Sequence, residues 1–341
     1  MNTLKPIALD AAGGDAMPQA AVGGAKAAAA AGIPVILVGD EVVLRAELKA
    51  QGAELPIHHA PDVIRMEDHA ADVRRRKDSS VMRAVRLVKD GHASACVSVG
   101  HSGATMAAAL FVLGRLKGLE RPAILANIPT DRGFTALIDA GANADCRPTH
   151  LQQFAVMGSV YARAFYNLPA PSVGLISLGE EPEKGNELTR EAHRLLTTTP
   201  GIHFYGNVEG RDLLKGTTDI VVADGFTGNV MLKLAEGEAK VIFGWVRGAL
   251  SGGGPLTKLG AALVRPALRG VAARLDPGEY GAQPLLGVNG YAFIGHGSSD
   301  AKAVQNALRT AQRAVDAELV PKLAAGMAAL APTPQTPTTQ V

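Results

Sequence analysis

The chain has 341 residues, of which 47% are hydrophobic and 19% charged, and its net charge is +2. That length and apolar share support a large buried core and exclude global disorder. The near-neutral balance excludes a general nucleic-acid binder, and the 4% aromatic content argues against base stacking.

In chain order, Met1 to Pro6 lead straight into a short apolar run with no signal-peptide core. Short β-branched runs predict strands at Ile7–Asp10, Val35–Val38, Cys96–Val99, Thr135–Asp139, Val173–Leu178, Ile202–Tyr205, Ile220–Ala223 and Tyr291–Gly295. Between most of them, Ala/Leu-rich spacing predicts helices at Pro18–Ala31, Ser79–Lys89, Gly103–Leu116, His150–Tyr166, Asn186–Thr197 and Ala301–Leu319. This alternation implies an α/β fold, a mostly parallel, doubly wound sheet with helices on both faces. Residues 1–330 are expected to form a single α/β domain. Residues 331–341, rich in Pro, Thr and Gln, are expected to form a disordered tail. No apolar stretch reaches the roughly 18 residues of a membrane span. Cys96 and Cys146 lack CxxC or Cys/His spacing and read as reduced thiols, without a disulfide or a zinc site. A cytoplasmic enzyme is expected, in contact with a membrane at most peripherally.

In such sheets ligands gather beyond the carboxyl ends of the strands. Four strand-to-helix loops there carry glycines with hydroxyl, amide or carboxyl groups: Asp10 to Pro18 with Gly13, Gly14 and Asp15; Val99 to Ala104 with Gly100, His101, Ser102 and Gly103; Asp224 to Asn229 with Thr227; and Gly295 to Asp300 with His296 and Ser298. Free amides at a helix N-terminus attract anions. Four such loops, all expected on one edge of one sheet, predict an oxyanion-binding cleft. Three further polar segments are candidates. Arg74-Arg75-Arg76-Lys77-Asp78-Ser79-Ser80 sets cations before a helix, so Lys77 and Ser79 join the binding set. Asp139 to Asp145 contains Asn143. Gly179 to Glu187 contains Lys184 and Asn186, with Lys184 either a mobile cation for phosphate or a surface partner of nearby glutamates. Neither G-x-G-x-x-G after the first strand nor G-x-x-x-x-G-K-[ST] is present, so nucleotide readings lack their anchors. No metal-ligand cluster is evident; His58-His59 read as exposed strand-end residues.

The strings IALDAAGGDAMP, RRRKDSSVM, SVGHSGATMAAALFVLGRLKG, IDAGANADCRPTHLQQFAVMGSVYA, LGEEPEKGNELT, DGFTGNVMLKLAEG and GVNGYAFIGHGSSDAK resemble the phosphate acyltransferase family PlsX, collinearly over about residues 5–320. The resemblance implies acyl transfer from acyl carrier protein to inorganic phosphate, and no cofactor is expected. It also implies a homodimer, a membrane glycerol-phosphate acyltransferase partner that takes the product into phospholipid synthesis, and a fold similar to phosphotransacetylases and isopropylmalate dehydrogenases. The sequence departs from the family in two loops. Ala12 stands where the family commonly has Met, and His101-Ser102 where it has Asn-Thr.

Phosphate attacks a thioester without a strong base, so the enzyme must mainly position two anions and stabilise an oxyanion. On this reading the helix N-termini at Ser102 and Ser298, with Lys184, hold phosphate. Asn229 faces the oxyanion, His296 protonates the departing thiolate, and Asp15 and Asp224 orient loops. Two rival readings remain at this point. Gly100-His101-Ser102-Gly103-Ala104 approaches a nucleophile elbow, which with Asp224 and His296 makes a serine thioesterase. A non-catalytic docking scaffold for carrier protein or membrane is the other. Finally, a helical hairpin is predicted over about 238–275. Its second half interleaves Leu256, Leu259, Leu263 and Leu268 with Lys258, Arg265, Arg269 and Arg274, and Pro266 is expected to kink it.

Overall fold

Ile7 and Leu9 point to one side of the first strand and Ala8 to the other, and all three are fully buried. That burial on both faces explains why the strands read as unbroken apolar runs. The computed structural model describes residues 5–330; the tail expected at 331–341 lies outside the described residues.

The elements in order are β1 (Ile7–Asp10), α1 (Gln19–Ala30), β2 (Val35–Gly39), α2 (Glu41–Ala50), β3 (Ile57–His59), α3 (Ser80–Lys89), β4 (Ala95–Ser98) and α4 (Ser102–Val112). Next come β5 (Ala123–Thr130), β6 (Gly133–Ile138), α5 (Pro148–Tyr166), β7 (Ser172–Ile176), α6 (Glu187–Thr197), β8 (His203–Val208), α7 (Gly210–Lys215) and β9 (Ile220–Val222). The chain continues with α8 (Gly225–Gly252), α9 (Pro255–Arg274), α10 (Pro277–Tyr280), β10 (Ala282–Leu286), β11 (Ala292–Gly295), α11 (Ala301–Asp316) and α12 (Leu319–Leu330). One sheet of eleven strands runs in the order β3-β2-β1-β4-β11-β10-β5-β6-β9-β7-β8. Helices α1, α5, α6, α11 and α12 bury Val22, Phe154, Leu196, Val304 and Leu323 against one face. Helices α3, α4, α7 and α8 bury Val85, Ala108, Leu213 and Leu232 against the other. The sheet is thus doubly wound, as the alternation of elements implies.

The sheet is mostly parallel, but its direction reverses in the middle. β10 pairs antiparallel with both β11 and β5, and β5 pairs antiparallel with β6. Following these pairings outward, β1, β2, β3, β4 and β11 run one way while β6, β7, β8 and β9 run the other. The expectation of four anion-binding loops on one edge is therefore corrected. The loops after β1, β4 and β11 share an edge, which the N-terminus of α3 also reaches. The Asp224 loop after β9 lies on the opposite edge, together with the loops after β6 and β7.

Two glycines, Gly253 and Gly254, separate α8 from α9 at the expected hairpin. Beyond Ala239 α8 is mostly exposed, and α9 buries no residue. Pro266 sits inside α9 without ending it. Among the described residues, no helix is long and apolar enough to cross a membrane.

Candidate active site

On the first edge, three loops touch backbone to backbone. A Cβ at Gly13 would fall 2.9 Å from Gly100 Cα, and Gly14, at φ +104°, has the carbonyls of Val99 and Gly297 within 3.1 Å of where its Cβ would stand. The Asp15 amide donates to Gly297 O at 2.8 Å. Only glycine allows this approach. Below them Asp10 accepts from Ser98 Oγ at 2.8 Å, and burial pushes its carboxyl above the usual range.

The expected binding residues at this edge take different parts. His101 Nδ1 accepts from the Ala104 amide at 3.2 Å, so the imidazole caps α4, the task an Asn amide performs at such a position. Ser102 opens α4 and is exposed, as is Ser298. Gly103 packs close to Ala70. Lys77 is exposed, whereas Ser79 is buried with its hydroxyl unpartnered. Arg76 is spoken for by Asp62 and Asp68, which hold the loop before α3.

His296 is the centre of the arrangement. Its Nε2 lies 3.6 Å from Glu236 Oε1 of α8. Burial lowers its pKa, and the ammonium groups of Lys233 and Lys240 lower it further against the opposing pull of Glu236. The ring is neutral at pH 7 and able to accept a proton. Two clefts meet at it. One, of about 90 Å³, is walled chiefly by Ile128, Pro129, Leu214, Leu232, Leu275 and Ile294. The other is polar, bounded by Lys240, Ser298, Ser299, Asp300 and Lys302 at the start of α11. Lys302 is paired with Glu279. Among the described residues Lys240 has no ion-pair partner within 4.0 Å, so it is the cation available to that depression.

On the second edge, polar groups mostly serve the fold. Asp139, buried, accepts from the amides of Ile124, Gly141, Ala142 and Asn143 and from Asn143 Nδ2. Burial raises its pKa while these donors pull it down. Asn143 gives its second side-chain proton to Pro122 O, so its donors are committed to structure. Asp224 caps α8, accepting from the Thr227 amide and hydroxyl at 2.8 Å each. Asn186 likewise caps α6 through Thr189. Lys184 is exposed on this edge. Asn229, near Gly141, lies about 10 Å down the axis of α8 from Glu236. The chain therefore does not gather Lys184, Asn229 and His296 into one site, because the reversal at β10 and β5 sends the loops after β7 and β9 to the far edge. The Ser102/Asp224/His296 triad fails for the same reason. The carboxylate near His296 is Glu236, about 18 Å along the helix from Asp224.

The fatty acid synthesis protein family matches residues 5–322. The phosphate acyltransferase of Thermus thermophilus is 59% identical over 324 residues, covering 95% of this chain and 99% of that one. The chain belongs to the phosphate acyltransferase family. Among solved structures, EutD phosphotransacetylase from Staphylococcus aureus shares 16% identity at a TM-score of 0.59, over 91% of this chain and 94% of its own. The 4-hydroxythreonine-4-phosphate dehydrogenase from Klebsiella pneumoniae shares 13% at 0.57, over 91% and 99%. At such identities the likeness is one of fold, and it matches the phosphotransacetylase-like architecture expected of a phosphate acyltransferase.

In this phosphate acyltransferase the residues beside His296 that sequence reasoning missed are Glu236 and Lys240. A signal for them exists. Asn229, Lys233, Glu236 and Lys240 recur at intervals of four, three and four, one polar stripe along α8. Among the described residues no group of three His, Cys, Asp or Glu side chains stands close enough to hold a metal ion. Cys96 and Cys146 are free, and burial pushes the Cys146 thiol up to about 11.

Proposed function

We propose that the enzyme transfers a fatty acyl group from the thioester of acyl carrier protein to inorganic phosphate, with phosphate held between Lys240 and the first turn of α11. The observation that carries this reading is the position of His296, where an apolar cleft meets a polar one. A phosphate oxygen forms a bond to the thioester carbonyl carbon. The tetrahedral oxyanion collapses, the C–S bond breaks, and its electron pair leaves on sulfur. Neutral His296 accepts the proton of hydrogen phosphate and returns it to the thiolate, so it acts as a base before it takes the part of acid expected of it. Trapping with hydroxylamine is the test. Acyl hydroxamate should form from acyl carrier protein thioester only when phosphate is present, and phosphate-independent release of free acid would support a hydrolase instead.

The two lysines distinguish the edges. Lys240→Met is expected to raise the phosphate KM or lower kcat at a cost of about 2–4 kcal/mol, the scale of one lost transition-state donor, while Lys184→Met leaves both near wild type. The reverse result would move the anion to the second edge.

The product is a labile mixed anhydride, so we place the enzyme in phospholipid synthesis, delivering acyl phosphate to a membrane glycerol-phosphate acyltransferase from the cytoplasmic side. Support for a peripheral surface comes from the hairpin. Arg247, Lys258, Arg265 and Arg269 line a groove between α8 and α9, and Leu256, Leu259 and Leu263 are exposed beside it. This suits an anionic lipid surface or an acidic carrier protein. A homodimer is proposed from a second stripe, Phe226, Val230, Leu234, Val241 and Trp245, exposed along α8. Leu259→Glu/Leu263→Glu should abolish co-sedimentation with anionic vesicles while sedimentation velocity still reports a dimer. Equal pelleting of both proteins, or loss of the dimer alone, would remove lipid docking from the scheme.

A further inference from the structure

A hollow on the second edge lies outside the chemistry at His296. It opens between the end of α4 and the start of α5, has a volume of about 540 Å³, and is lined by Leu110, Arg115, Glu120, Arg121, Pro122 and Arg147. Three guanidinium groups share it with a single carboxylate. That carboxylate is turned inward, since Glu120 pairs with Arg147 and meets the buried His150 at 3.1 Å. His150 Nδ1 already accepts from the Arg147 amide, so Nε2 carries the proton that Glu120 accepts, and burial keeps the ring neutral at pH 7. Among the described residues neither Arg115 nor Arg121 has a carboxylate within 4.0 Å, and Arg115 gives one N–H to Glu120 O.

The loop that carries these arginines is braced. Leu116 donates to Gly287 O and Asn289 to Gly114 O, both at 2.9 Å, tying it to the turn after β10. Gln153 of α5 accepts from the Glu120 amide and donates to Gly118 O. Guanidinium groups on a braced loop bind phosphoryl oxygens bidentately at a reduced ordering cost. The 19-residue α5, with no acid in its first turn, begins at Arg147 and adds its positive end.

We infer that this hollow binds a diphosphate, free or as an ester, with its phosphoryl groups on Arg115 and Arg121 and any esterified group against Leu110 and Pro122. A concave hollow suits a compact polyanion better than the spread charge of an acidic protein surface. The site is separate from the one beside His296, because β5 advances about 20 Å between Pro122 at the hollow and Ile128 at the cleft. The inference stands apart from acyl transfer and holds whatever the reaction.

The test is calorimetric titration with pyrophosphate at about 0.15 M salt, in a Lys240→Met background that removes the cation of the first edge. Lys240→Met alone should bind pyrophosphate saturably. Adding Arg115→Gln/Arg121→Gln should weaken binding at least about tenfold, the scale of one lost charge-assisted hydrogen bond. Arg115→Lys/Arg121→Lys, which keeps the charge but not the fork, should fall between the two. Both arginines are exposed, so in an otherwise wild-type chain the glutamine pair should leave the melting temperature and the phosphate KM unchanged. Equal pyrophosphate affinity with and without the arginines would overturn the assignment. So would the absence of binding at millimolar pyrophosphate, which would leave the surface to an acidic macromolecule.

Discussion

His296→Gln is expected to lower acyl phosphate formation by about 10²–10⁴-fold, the usual contribution of a positioned acid–base group. Glutamine keeps a donor near Glu236 but cannot carry a proton from phosphate to sulfur. The pH profile supplies a second reading. Burial and two nearby lysines hold the His296 pKa below 6.5, so the base stays neutral, and wild-type turnover is maintained, at pH values where an ordinary histidine is already half protonated. The rate should fall only as the pH drops through that lowered value, and this limb should be absent from the variant. Lys233→Met removes the larger of the two lysine effects and should move the limb towards higher pH. Wild-type turnover by His296→Gln, or a limb that survives the substitution, would take the proton transfer away from this residue.

The second large effect is on stability. Asp139→Ala is expected to cost about 4–6 kcal/mol in urea unfolding, because it orphans several buried donors at 1–3 kcal/mol apiece. Five donors converge on this one carboxylate at 2.8–3.2 Å. Asp139→Asn retains one acceptor oxygen and should lose about half as much. The neighbouring backbone leaves no slack either, since a Cβ at Gly228 would sit 1.9 Å from Asp139 O. A loss below about 1 kcal/mol in Asp139→Ala would mean that water replaces the carboxylate and that this corner is not a structural keystone.

Much of the fold is legible because most strands are parallel and buried on both faces, which writes them as apolar β-branched runs. Two of the strands that escape such a reading, β5 and β10, contain Pro129 and Pro284, residues that argue against a central strand. Those are also the strands that reverse the sheet. Missing them leaves every later loop assigned to the first edge, and this single gap accounts for the misplacement of Lys184, Asn186, Asp224 and Asn229. The loops at Gly13, Gly100 and His296 are legible because close glycine contacts and helix starts are local signals. Glu236 and Lys240 are not, because a polar stripe on a long helix does not declare which loop it will meet.

The single helix α8 carries the cap at Asp224, the close approach of Gly228 to Asp139, the pair at His296, and the exposed arm that ends at Gly252. Insertions and deletions along it are therefore unequal in consequence. One added residue between Gly228 and Glu236 turns everything beyond it by about 100°, swinging Lys240 away from the polar cleft and Ala239 out of the apolar one while each side chain remains intact. One added residue at Gly253-Gly254 lengthens only the loop at the hairpin's tip. Across descendants of this gene, the inner segment should tolerate substitution far better than a change of length, and gaps should collect at the tip.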